Sequence, residues 1–292
     1  QLWDTGAFSA AVYPDLPLAT NWRSFGSALM RGGIGNAASP TPPAADEIRS
    51  SRWLVRTVGV QCRSRRELGE HILRQAFGND DGDADQIGAA NALLCVSGSH
   101  PVRQLSIMGR LLPSSLDTLA MAGEMKARGN LPGSLRLWAV ENPLLEYDAQ
   151  RLRRKIEAGA EVVVTQPPLD WDSFQRWADD ADRLGLLEQC QLVVGLPMLS
   201  SAGNLAFWLQ LCGAHSAPWA QSVLKRWSDE ESKGAESFQE WRLQQTVELM
   251  QRIGSLPGAA GVHVMPLTKR AREDALAVIE SGAIAPWVVQ DD

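Results

Sequence analysis

Four cysteines in 292 residues, none of them in a CxxC pair, and four histidines at wide spacing leave this chain without the signature of a zinc site or a disulfide framework. Cys62, Cys95 and Cys190 fall in or beside apolar strand-like runs. These and Cys212 are expected to be reduced, with no metal site and no redox role. Basic charge is not in excess: 28 Lys and Arg stand against 34 Asp and Glu, for a formal net charge of -6. That balance argues against a general nucleic-acid binder, which needs clustered cations to displace counterions from phosphates. No apolar run approaches the length of a membrane span. The acidic stretch Asn79 to Asp85, NDDGDAD, lacks the spacing and the closing glutamate of a calcium loop and reads as surface loop. The chain opens on Gln1 with no initiator Met and no visible signal or transit peptide. This fits removal of an N-terminal segment, with an organelle matrix or stroma as the compartment, or simple trimming, with the cytoplasm as the alternative.

What is present is globular. Apolar residues make up 45% of the chain and charged residues 21%. The length is large for one ordinary domain and right for an α/β barrel. Eleven tryptophans are many for this size. Most are expected in the core or on helix faces, and some on a buried partner surface, where Trp is enriched.

The most informative stretch is Leu152 to Asp170, LRRKIEAGAEVVVTQPPLD. Leu152, Ile156 and Gly159 recur at helical spacing among Arg153, Arg154 and Lys155. Gly159 ends that helix, and Glu161 to Gln166 is a β-branched run stopped by Pro167 and Pro168, which have no N–H for a ladder. A helix feeding an apolar strand through a Gly turn is one step of a parallel sheet buried on both faces. Its polar end, Thr165 and Gln166, points to where parallel α/β folds keep ligands.

The same grammar repeats along the chain. Strands are expected at Gly6–Tyr13 (ended by Pro14), Gly32–Ala38 (weakly), Trp53–Gln61, Asn91–Ser97, Leu135–Val140, Glu161–Gln166, Gln191–Gly195 and Gly261–Pro266. Helices are expected at Asn21–Arg31, Arg65–Phe77, Pro113–Ala127, Asp172–Leu187, Asn204–Cys212, Ala220–Arg226, Glu236–Ile253 and Ala271–Glu280, with Asp170 or Asp172 able to cap the helix near Asp172. Eight strands with intervening helices predict a (β/α)8 TIM-type barrel. No composition break divides the chain, so residues 1–292 read as a single domain.

Four blocks in order carry a resemblance: Trp138–Pro143 (WAVENP), Leu152 to Pro168, Val194–Met198 (VGLPM) and Ala260–Pro266 (AGVHVMP). With them the chain resembles the methylenetetrahydrofolate reductases over nearly its full length. The resemblance implies a barrel holding FAD at its strand C-termini, with NAD(P)H and folate alternating over the flavin. Residue by residue it implies FAD contacts for Lys155 and Asp148 and a folate contact for Gln166. Read without it, Lys155 is a solvated helix residue, Asp148 a helix N-cap and Gln166 a group satisfying backbone at a strand end.

The departures lie at the chemical end. Where the family ends its first strand with the glutamate that donates the proton, this chain has Tyr13, a phenol roughly six pKa units weaker. In the turn Gly98-Ser99-His100-Pro101, Ser99 stands where the family has an aspartate beside the flavin. Ala37, Gly59 and Val194 replace a hydroxyl, a histidine and a proline of the family pattern. Two functions follow as alternatives. One is a catalytically silent barrel, needing no cofactor, that serves as a structural or accessory subunit of a larger assembly or as a homo-oligomer, with a remnant folate or FAD site. The other is an active FAD-dependent reductase or a relative with altered substrate, since the flavin itself carries the hydride.

Overall fold

The computed structural model describes residues 8, 10–13, 53–60, 63–78, 89–96, 113–145 and 148–282. It has two compact units, one over Ala10–Leu137 and one from Trp138 onward.

In the first unit β1 (Ala10–Tyr13), β2 (Trp53–Gly59) and β3 (Ala92–Val96) form parallel ladders, with Ala10 beside Trp53 and Val55 beside Ala92. Leu54, Val55, Val58 and Ala92 to Cys95 are buried, as expected of strands covered on both faces. The helix α1 spans Arg65–Phe77, the bounds that its periodicity predicts. A capping box starts it: Ser64 Oγ accepts from Glu67 N, and Glu67 Oε2 accepts from Ser64 N at 2.7 Å. Ser114 and Asp117 do the same for α2 (Ser115–Ala127). The predicted elements at Asn21–Arg31 and Gly32–Ala38 lie outside the described residues. Among the described residues β1 pairs directly with β2.

In the second unit β4 (Arg136–Glu141), β5 (Val162–Thr165), β6 (Gln191–Pro197) and β7 (Ala259–Met265) pair in parallel in that order. The helices are α3 (Gln150–Glu157), α4 (Trp171–Arg183), α5 (Ala202–Leu211), α6 (Ala220–Glu231), α7 (Ala235–Gly254) and α8 (Lys269–Glu280). The chain is therefore α/β with seven parallel-paired strands among the described residues. Leu192 to Pro197 are all buried, so β6 has the two covered faces that its sequence predicts. Of the two candidate caps for α4, Asp170 is the one used: its Oδ2 accepts from Ser173 N at 2.9 Å. Three helices rather than one join β6 to β7, and they close over a cluster of Leu205, Trp208, Leu209, Trp227 and Phe238. No described helix is long and apolar enough to cross a membrane.

The described tryptophans answer the question their number raises. Trp138, Trp177, Trp208 and Trp227 are buried, and Trp53, Trp171, Trp219 and Trp241 are half-buried. The described tryptophans thus lie in cores and on partly covered faces. Cys95, Cys190 and Cys212 are free and buried, and burial pushes their thiols up to about 12, 11 and 12. Thiols so held are poor nucleophiles at neutral pH. Cys62 lies outside the described residues.

The half-buried strand β7 carries His263, whose ring burial pushes down to about 4 from an ordinary 6.5. The unfolded chain takes up this proton near 6.5 and the folded chain only near 4. The stability His263 contributes is therefore intact above pH 6.5 and is lost as pH falls toward 4. The loss should be about 1–3 kcal/mol, the half-buried ring trimming the full linkage value. Denaturant titrations of the wild type and of His263→Gln across this window check it: the wild type should lose that much more than the variant.

Candidate functional site

The strand ends of the second unit are built around a buried ion pair that the sequence did not announce. The helix α3 has Leu152 and Lys155 as its buried residues, while Ile156 is only half-buried. The inward face is thus Leu152 with Lys155, one position away from the Leu152–Ile156 face that apolar spacing suggests. From there the Lys155 stem runs beneath the end of β4. Its Nζ donates to Val140 O at 2.6 Å and to Glu141 Oε2 at 2.7 Å. The two side chains are only 4% and 1% exposed.

The pair is closed on both sides. Glu141 Oε1 accepts from Asn142 N at 3.1 Å, and Asn142 Nδ2 donates to Cys212 O at 2.9 Å, which ties the end of β4 to the end of α5. Burial holds the Lys155 ammonium below its ordinary pKa, an effect opposed by the Glu141 charge and hydrogen bond and reinforced by Arg151 and Arg154. In so dry a place an unpaired ammonium is costly, and the carboxylate opposite it is what keeps the charge tolerable.

Gln166 stands just past β5. Its N–H donates to Glu141 O at 2.8 Å, so the backbone registers the ends of β4 and β5. Its side chain is half-buried, with Oε1 3.6 Å from Cys212 Sγ. Next to it β6 comes very close. A Cβ on Gly195 would lie 2.6 Å from Thr165 O, 2.8 Å from Met265 Cε and 3.0 Å from Pro167 N. Two of those three atoms are backbone, so only glycine fits. Gly195 N also donates to Thr165 Oγ1 at 3.2 Å. The conversion of a Pro-Gly pattern to Val194-Gly195 leaves this close approach intact.

Three predicted positions remain. Asp148 is exposed ahead of α3, its Oδ1 accepting from Gln150 N at 3.1 Å. It is not the N-cap, which is Ala149. Tyr13 is the last residue of β1 in the first unit, the strand-end place expected of it. Ser99 lies outside the described residues. The structure thus brings Lys155, Glu141, Gln166 and Cys212 to linked strand and helix ends within one unit. Glu141 and Cys212 were missed as members of this group. Glu141 gave one usable signal: a carboxylate closing an apolar strand, fourteen positions before a lysine on the next helix.

With this geometry in view, the likenesses to known proteins can be placed. Residues 137–281 match the family model of methylenetetrahydrofolate reductase. No curated protein matches the chain significantly. Among solved structures, an uncharacterized protein from Clostridium thermocellum that binds two copies of 5-methyl-5,6,7,8-tetrahydrofolic acid is similar at 12% identity, covering 97% of both chains, with a TM-score of 0.49. A 2,3-dimethylmalate lyase of the PEP mutase/isocitrate lyase superfamily is similar at 14% identity, covering 97% of this chain and 95% of that one, with a TM-score of 0.37. Both scores fall below 0.5, so neither likeness bears on function.

Proposed function

We propose that the chain, whose residues 137–281 match the methylenetetrahydrofolate reductase family model, is a catalytically silent member of that family, a barrel-type scaffold serving as a structural or accessory subunit. The observation that carries this reading is the Lys155–Glu141 pair. A flavin diphosphate needs a cation free to meet it. Lys155, the residue the family resemblance assigns to that task, commits two of its three donors to Val140 O and Glu141 and is almost fully buried. Its charge is already neutralised from within. Asp148 is exposed, but it lies outside the network that holds Lys155. As arranged, the two residues do not fit the cofactor.

The sequence adds weight from the chemical end, where Tyr13 and Ser99 stand at positions the family fills with acids. General acid catalysis is typically worth about 10²–10⁴-fold, and a phenol with a reference pKa of about 10 supplies little of it at neutral pH. A lost acid alone slows a flavoenzyme. A lost acid together with an internally neutralised lysine argues against the flavoenzyme itself.

Titration of the purified chain with FAD, followed by flavin fluorescence, tests the reading. No saturable quenching is expected, and no NAD(P)H-dependent reduction of methylenetetrahydrofolate with FAD added. Purified from its native source, the protein should run at fixed stoichiometry in a larger assembly, or with further copies of itself. Stoichiometric FAD with turnover would establish the active reductase instead.

A further inference from the structure

A half-open cavity of about 300 Å³ lies in the second unit, beside the N-terminus of α4 and against α6 and α7. It shares no residue with the Lys155–Glu141 network. Its volume is at the lower end of the range for small-molecule pockets, about 300–1,000 Å³. The apolar lining comes from Leu169, Leu205, Val223, Trp227 and Leu249, of which Leu169, Leu205 and Trp227 are buried.

Of the polar lining, Asp170 caps α4 through Ser173 N and Thr246 Oγ1 donates to Arg242 O, and the remainder falls into two groups. One is internally satisfied: Arg226 Nη2 donates to Gln245 Oε1 at 3.1 Å, and Gln245 Nε2 donates to Glu248 Oε2 at 3.0 Å. Gln244 Nε2 takes the other Glu248 oxygen at 2.9 Å, and the Arg226 guanidinium lies over the Trp241 ring. The second group is Asp172 and Arg252. Both line the cavity, they carry opposite charges, and they form no ion pair with each other or with any other described residue. The Arg252 guanidinium rests over the Trp171 ring, 5.7 Å from its centroid, a stacking contact that positions the fork and leaves its edge N–H groups for an acceptor.

We propose that this cavity binds a small zwitterion with an apolar body, an α-amino acid with an aliphatic or aromatic side chain. Its ammonium meets Asp172, its carboxylate meets Arg252, and its side chain lies on Leu205, Val223 and Trp227. A purely anionic ligand of this size faces the Asp172 charge, and a purely cationic one faces Arg252. A ligand bearing both signs at one end and none at the other matches the lining. The site goes beyond the strand-end reading and stands whether or not FAD binds elsewhere.

Isothermal titration calorimetry with L-phenylalanine and L-leucine tests it, with N-acetyl-L-phenylalanine and L-phenylalanine amide as controls that block one charge each. Binding of at least one free amino acid is expected, weakened tenfold or more by either block. Asp172→Asn should weaken L-phenylalanine about tenfold yet leave the N-acetyl derivative unchanged, and Arg252→Gln should do the same with respect to the amide. Both residues are exposed, so the variants should fold, and their melting curves verify it. Absence of heat for both amino acids at millimolar concentration overturns the proposal. So does N-acetyl-L-phenylalanine binding as well as the free amino acid, or an affinity that neither substitution changes.

Discussion

Glu141→Ala should lower the stability of the chain by about 3–5 kcal/mol, the usual cost of stranding one half of a buried ion pair. The substitution leaves the Lys155 ammonium with Val140 O as its remaining partner, in a space where the side chains are 4% and 1% exposed. It also removes the Oε1 acceptor from Asn142 N. Lys155→Met should be similarly harmful, because it strands the carboxylate instead. The double change Glu141→Leu with Lys155→Met is expected to recover most of the loss, since an apolar pair of similar volume avoids desolvating two charges. Urea denaturation of the three variants measures all of this, and Glu141→Leu alone completes the cycle that gives the coupling between the two positions. A cost below about 1 kcal/mol for Glu141→Ala would mean that the pair is weakly held. Lys155 would then be available to an outside anion, and the silent-scaffold reading would lose its main support. The measurement of a structural pair is thus also a measurement on function.

The second large effect is expected at Val193. It lies in β6, beside Val164 of β5 and Gly261 of β7, and is 8% exposed. An aspartate there has a covered strand on each side. An uncompensated buried carboxylate costs several kcal/mol, comparable to the 5–15 kcal/mol that holds a domain together. Val193→Asp should therefore appear in the insoluble fraction, while Val193→Ala stays soluble with a lowered melting temperature. A soluble Val193→Asp chain with an unchanged melting temperature would show that β6 is not the covered strand described above. The comparison with Val193→Ala separates lost apolar contact from buried charge.

Much of the framework was legible without coordinates because its signals are local. Ser64 followed by Glu67 starts α1, the β-branched run before Pro167 is β5, and Asp170 caps α4. Each depends on neighbours a few positions away, and short-range sterics and hydrogen bonding decide them whatever the rest of the chain does. Gly195 was legible as part of a block. Why it must be glycine was not, since the reason is two backbone atoms from Thr165 and Pro167, thirty and twenty-eight positions distant.

The orientation of α3 shows the limit more sharply. Apolar spacing alone put Leu152 and Ile156 inward and left Lys155 to solvent or to a cofactor. A lysine on an inward face is unfavourable by itself, so periodicity votes against it, and only a carboxylate brought to the same place reverses the sign. By itself, then, the sequence determined the alternation of helices and parallel strands, their approximate bounds and the likeness of residues 137–281 to a family model. The tertiary structure alone decided that β1 pairs directly with β2, that Glu141 closes on Lys155, and that Asp172 and Arg252 line one cavity unpaired. Those are contacts between residues far apart in the chain, and their energies depend on burial and distance, which exist only once the chain has folded.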